Sequence, residues 1–158
     1  MHALYLTTGG DLYGAGYNYY YQLGIPSSNI NQVDNATLIS QGVTLVGSGY
    51  FHSFFLNSSG LFGMGLNSDF QLCLNISSDS SNVETPTLIG ITETLKYVTG
   101  GAFHSVFLTA TGDVLVCGNS TVSHTATIIS ILLSSIIFLF CHRTDNLDLV
   151  IEPCNQSQ

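Results

Sequence analysis

Tryptophan is absent from this chain, and only two of its 158 residues, Lys96 and Arg143, carry a positive charge. Phosphate backbones are held by clusters of Lys and Arg, so no direct nucleic-acid binding is expected. The formal net charge is −8, yet the acidic residues are scattered and form no run, which reads as a solvated polar surface. The four cysteines, Cys73, Cys117, Cys141 and Cys154, include no Cys-x-x-Cys pair and no zinc-finger spacing. They read as free thiols, which suits an intracellular protein. The N-terminus lacks a basic region followed by an apolar run, so no secretory signal is visible. Over the first 119 residues no apolar stripe with a 3.6-residue period persists for twelve residues, which argues against helices there.

What the chain does have is a histidine phrase repeated three times, about fifty residues apart. His2-Ala3-Leu4-Tyr5-Leu6, Phe51-His52-Ser53-Phe54-Phe55-Leu56 and Phe103-His104-Ser105-Val106-Phe107-Leu108 each run on to a glycine. In every copy the histidine precedes that glycine (Gly10, Gly60, Gly112) by eight positions. A short apolar segment follows and ends at Gly16, Gly65 or Gly118. The first two copies continue into Asn18-Tyr19-Tyr20-Tyr21-Gln22-Leu23-Gly24 and Asn67-Ser68-Asp69-Phe70-Gln71-Leu72-Cys73. After a polar stretch come Val33 to Ile39 and Val83 to Ile89 in the same register. Val43-Thr44-Leu45-Val46 and Leu95-Lys96-Tyr97-Val98 then lead into the Gly47-Ser48-Gly49 and Gly100-Gly101 turns.

One period thus holds four short segments rich in β-branched and aromatic residues, bounded by turn residues. Four strands per unit of this length match the blade of a β-propeller, which buries sheet edges by radial repetition. The expected fold is therefore all-β: a partial propeller of four-stranded antiparallel blades. Its repeats are expected at about 1–46, 47–99 and 100–119, the last one incomplete.

At these residues the chain resembles the regulator-of-chromosome-condensation repeat family. That pattern has Gly, a His-Ser or His-Thr pair in an apolar strand, a Gly-Asp or Asp-Gly turn, an aromatic-Gly step, and a closing Asn-x-x-x-Gln-Leu-Gly. The resemblance covers roughly residues 2 to 119. It departs at one position, since the family often has Trp just before the strand-ending glycine. Ala15, Met64 and Cys117 stand there, which implies looser packing between blades. Family propellers have more blades than this chain carries, so the chain reads as a fragment or truncated product of a longer propeller.

After Gly118 the repeat pattern stops. Thr125 to Cys141 is a run of seventeen uncharged residues, at the short edge of what a helix needs to cross a bilayer. His142 and Arg143 follow and would face the cytosol. Three readings stand: a single-pass membrane helix at 125–141 with a polar tail at 142–158, a spliced or out-of-frame tail, or a divergent strand pair that completes the third blade.

Candidate chemistry is sparse. Equivalent histidines on neighbouring blades are too far apart for the ~2 Å bonds of a metal site. His2, His52 and His104 are therefore read as structural, bonded through their rings to neighbouring backbone. Asp11 and Asp113 read as turn residues. Ser53 and Ser105 face the opposite side of the strand from the adjacent histidine, so they form no nucleophile–base pair within one strand. No catalytic, cofactor or metal residue is assigned, and no cofactor is expected. Tyr17, Tyr19, Tyr20 and Tyr21 form a candidate contact patch, since Tyr is favoured at interfaces.

The resemblance implies a non-enzymatic, cytoplasmic scaffold that binds protein partners. Some family members act as guanine-nucleotide exchange factors, which makes a small GTPase the implied partner. The alternative is a membrane-anchored partial propeller held through Thr125 to Cys141.

Overall fold

The computed structural model describes residues 1–26, 31–74 and 82–118, together with the backbone of 127–129. Every regular element among them is a strand. The first sheet orders β1 (His2–Leu6), β2 (Leu12–Tyr17) and β3 (Gln32–Ser40). The second orders β4 (Leu45–Ser48), β5 (His52–Asn57), β6 (Gly60–Leu66) and β7 (Asn82–Ile89). The third orders β8 (Leu95–Gly100), β9 (His104–Thr109), β10 (Val114–Gly118) and β11 (Thr127–Ile129). All pairings are antiparallel meanders. The described residues are thus all-β, in blade-like sheets of three and four strands.

The repeats agree at the level of register. In the first sheet Gly14 pairs with Thr37 and Gly16 with Val33, with an irregularity between them. In the second, Gly63 pairs with Thr87 and Gly65 with Val83, with the same irregularity. The extra residues bulge the outer strand and increase its twist. Gly16, Gly65 and Gly118 lie at or one residue before the end of the second strand of each histidine hairpin, at φ of +102°, +107° and +123°. At Gly65 a Cβ would lie 2.5 Å from the Phe51 carbonyl oxygen, so only glycine fits.

Alternation along the histidine strands divides the core into two layers between sheets. Phe55 joins Leu12, Val43 and Met64 between the first and second sheets. Phe54 joins Leu61, Leu72, Val83, Ile89, Leu95, Val98, Phe107 and Leu115 between the second and third. Phe54 and Phe107 meet edge to face with ring centroids 5.2 Å apart, a favoured aromatic geometry. At two of the three positions without tryptophan the expected loose packing is not seen. Met64 is fully buried, and Cys117 is bonded to Cys73.

That bond corrects the reading of all cysteines as free thiols. Cys73 and Cys117 form a disulfide with Cα atoms 5.5 Å apart, a pairing that spacing alone does not reveal because it joins different blades. Most of the Thr125–Cys141 segment lies outside the described residues. Its residues Thr127 to Ile129 pair with Val116 to Val114 of β10. No helix among the described residues is long and apolar enough to cross a membrane.

Candidate functional site

The geometry begins in the Asn-x-x-x-Gln-Leu loops. Asn18 Oδ1 accepts from the Leu23 amide at 2.9 Å, while its Nδ2 donates to the Ile25 carbonyl at 2.9 Å. Asn67 does the same with Leu72 and Leu74, at 2.9 and 3.0 Å. Gln22 Oε1 accepts from the Tyr20 amide and Gln71 Oε1 from the Asp69 amide. Each loop therefore closes on its own amide side chains, as Asn commonly does in turns. Tyr21 and Phe70 sit at φ of +62° and +60°, an uncommon region for non-glycine residues that the surrounding bonds hold in place. Asn67→Ala is expected to cost about 2 kcal/mol, because the buried Leu72 amide and the half-buried Leu74 carbonyl lose their partner. Urea denaturation of the variant against the parent checks it.

The second loop delivers a carbonyl to the neighbouring blade. Ser105 on β9 donates its hydroxyl to the Gln71 carbonyl at 2.7 Å. His52 Nε2 lies 2.7 Å from the same Ser105 oxygen. With the serine proton committed to Gln71, Nε2 is the donor and His52 is the neutral Nε2–H tautomer. Its Nδ1 is buried and makes no hydrogen bond, which suits an unprotonated nitrogen better than a charged one. The preceding boundary repeats the contact, with His2 Nε2 2.8 Å from Ser53 Oγ. Each relay thus runs from the histidine of one blade to the serine of the next. For His2 and His52 a serine hydroxyl stands where a backbone partner was expected. The alternation of the strand explains it: histidine faces forward and its adjacent serine faces back.

Burial pushes the His52 imidazole down to about 4, with smaller contributions from His104 and His2. His2 is likewise pushed down to about 4, by burial and then by the N-terminal ammonium. The unfolded chain binds a proton on these rings near the ordinary 6.5, and the folded chain resists it. Stability from this source is therefore complete above about pH 6.5 and is lost as pH falls toward 4. For His52 the loss is on the order of 3 kcal/mol. Comparing urea midpoints at pH 7.5 and 4.5 for the parent and for His52→Gln, which keeps a donor but does not titrate, isolates the histidine part.

The relay is not a catalytic dyad. Ser105 and His52 are fully buried, the serine proton is engaged by a carbonyl, and no carboxylate is bonded to the ring. Among the described residues no group of three or more His, Cys, Asp or Glu could hold a metal ion. Gly10 and Gly112 lie in the hairpin turns after the histidine strands and Gly60 opens β6, at φ of +87°, +98° and +131°, and none presents a side chain. Asp113 accepts from the Thr111 hydroxyl at 2.8 Å and Asp11 from the Gln41 amide at 2.9 Å.

The tyrosines belong to a larger feature. Tyr17 stacks on Tyr19 at 6.2 Å, Tyr19 meets Tyr20 edge-on at 5.0 Å, and Tyr20 meets Phe51 at 4.7 Å. Phe51 then touches Tyr50 at 4.5 Å and reaches toward Phe103 at 6.4 Å. A continuous aromatic rim so crosses all three sheets where the histidine strands begin. Tyr19, Tyr50 and Phe103 remain 53%, 62% and 42% exposed. Tyr21 lies outside these ring pairs and holds the positive-φ corner of its loop. Tyr50, Phe51 and Phe103 are members that the sequence reading missed; for Phe51 and Phe103 the signal was an aromatic residue directly before each of the last two histidines.

Repeated antiparallel blades joined by histidine–serine relays define a β-propeller repeat module. Residues 9–56 and 96–123 match the regulator of chromosome condensation (RCC1) repeat. The chain belongs to that repeat family, as a partial propeller. It is 30% identical over 125 residues to protein pim1 of Schizosaccharomyces pombe, covering 74% of this chain and 23% of that protein. It is 34% identical over 123 residues to human HERC3, named as a probable E3 ubiquitin-protein ligase, covering 74% and 11%. It is 32% identical over 128 residues to the Caenorhabditis elegans X-linked retinitis pigmentosa GTPase regulator homolog, covering 76% and 9%. The chain spans less than a quarter of the length of each of these relatives. Among solved structures, human WBSCR16 superposes with a TM-score of 0.68 at 22% identity, over 81% of this chain and 35% of that one. Yeast RCC1 (Prp20), solved bound to Kap60, superposes at 0.65 with 24% identity, over 74% and 27%.

Proposed function

We propose that this chain is a non-enzymatic protein-interaction module whose aromatic rim contacts a protein partner, and that the partner is a small GTPase. The exposed rim from Tyr19 to Phe103 is the observation that carries the reading. Rigid aromatics present large contact area at low entropic cost, and interface centres are enriched in them. Their rings are preordered here by mutual stacking. The relatives support the choice of partner. One is named as a GTPase regulator homolog, and the structure of Prp20p is described with its binding to Gsp1p and histones. Lys96 is the single Lys or Arg among the described residues, which favours a protein surface over nucleic acid.

The reading places the module in the cytoplasm, where carbonate extraction of membranes would leave it in the supernatant. Binding is tested by calorimetry of the purified chain with a panel of small GTPases, alongside release of a fluorescent guanine nucleotide. The expected result is binding to one of them that Tyr50→Ala and Phe103→Ala each weaken at least tenfold, with the fold intact by circular dichroism. Accelerated nucleotide release would add exchange activity to the reading. Binding unaffected by both substitutions would remove the rim from it, and no binding across the panel would remove the GTPase.

A further inference from the structure

We infer that the Cys73–Cys117 bond is a reversible thiol–disulfide exchange site, opened by low-molecular-weight thiols such as glutathione at the sulfur of Cys73. The repeat itself points to this pair. Cys73 occupies the place that Gly24 holds one blade earlier, and Cys117 the place that Met64 holds one blade earlier. A Cβ at Gly24 would lie 2.6 Å from the Met64 sulfur. The same two positions that meet by close packing at one boundary are therefore joined covalently at the next. Both departures from the repeat pattern fall on one contact, and neither stands alone as an unpaired cysteine.

The pair is also asymmetric. Cys117 is 9% exposed and packs in the core between the second and third sheets, whereas Cys73 is half-buried at the corner of its loop. Exchange proceeds by attack of a thiolate on an accessible sulfur, which directs it to Cys73. The incoming thiolate forms a bond to Cys73 Sγ, and the Cys73–Cys117 bond breaks with its electron pair leaving on Cys117 Sγ, which takes a proton from water. A second thiol then displaces Cys73 from the mixed disulfide, giving the free Cys73 thiol and oxidised low-molecular-weight disulfide. That disulfide is the oxidant for the reverse reaction.

The bond acts on the elements that carry the relay. Cys73 follows Gln71 by two residues, and Cys117 pairs in register with Ser105. The bond therefore clamps both elements that carry the relay between the Gln71 carbonyl, Ser105 and His52. Cys73 also sits at φ +55°, a backbone state for which Gly24 needs no side-chain compensation. Opening the bond frees a loop corner that prefers glycine. The site stands independently of the GTPase reading.

The test uses the full chain with Cys141→Ser and Cys154→Ser, so that Cys73 and Cys117 are its only thiols. Peptide mapping in buffers of varied glutathione to glutathione-disulfide ratio should show the Cys73–Cys117 crosslink, then a glutathione adduct on Cys73, then free thiols. Amide hydrogen exchange in β9 and β10 should rise at least tenfold on reduction. The double variant Cys73→Gly with Cys117→Met, which installs the pair used at the first boundary, should fold and show no redox response. Absence of the crosslink, adducts on Cys117 instead of Cys73, or equal exchange in both redox states would overturn the inference.

Discussion

Gly47→Val is expected to destabilise the chain by about 3 kcal/mol or more, at the upper end of what overpacking costs. Gly47 lies on β4, the inner strand of the second sheet, where a Cβ would fall on the Val98 carbonyl oxygen and 2.8 Å from the Val98 Cγ1 of β8. The nearest obstacle is backbone in the inner strand of the next blade, so no side-chain rotation relieves it. The two blades would have to separate, and separation also pulls apart Phe54 and Phe107. Gly90→Ala is the control. It meets nothing within 4 Å, and should stay within about 0.5 kcal/mol of the parent. Urea denaturation of the three proteins measures both. A tolerated Gly47→Val would mean that the inner strands do not approach as described.

His52→Ala is expected to cost about 3 kcal/mol, the sum of a lost buried side chain and a lost hydrogen bond. The ring fills a slot that only glycines leave open. A Cβ at Gly100 would lie 2.6 Å from His52 Nε2, and one at Gly49 2.6 Å from the same atom. The ring also meets Phe54 edge-on, with centroids 5.4 Å apart. Removing it leaves a cavity and a Ser105 hydroxyl without its donor. Ser105→Ala should cost less, about 1 to 2 kcal/mol, because the Gln71 carbonyl and His52 each lose one bond but no packing. The double variant should show a coupling of about 1 kcal/mol or more between the two sites. Strict additivity would mean that histidine and serine stabilise the blades separately.

Much of the architecture was legible because the repeat prints the same polarity pattern at each turn. Strand type, the hairpin after each histidine and the glycine ending each second strand all follow from local spacing. What spacing could not carry was any contact between copies. The serine partner of His52 sits about fifty residues downstream, and within its own strand the serine faces away. Only the radial stacking of blades brings forward-facing imidazole and backward-facing hydroxyl together. The disulfide escaped for the same reason, since a search within one copy finds no cysteine pair. Comparing copies would have found it, because Cys73 and Cys117 replace two residues that touch one blade earlier. The aromatic rim was half legible. The tyrosine run stood out, but its extension through Phe51 to Phe103 depends on neighbouring blades placing their strand entrances side by side.

The cross-blade relay is tested most directly by nitrogen-detected NMR of the His52 imidazole in the intact chain from pH 8 to pH 3.5. The account predicts a neutral ring with its proton on Nε2 through the physiological range, titrating only near pH 4. A ring that titrates near 6.5, or that carries its proton on Nδ1, would contradict it.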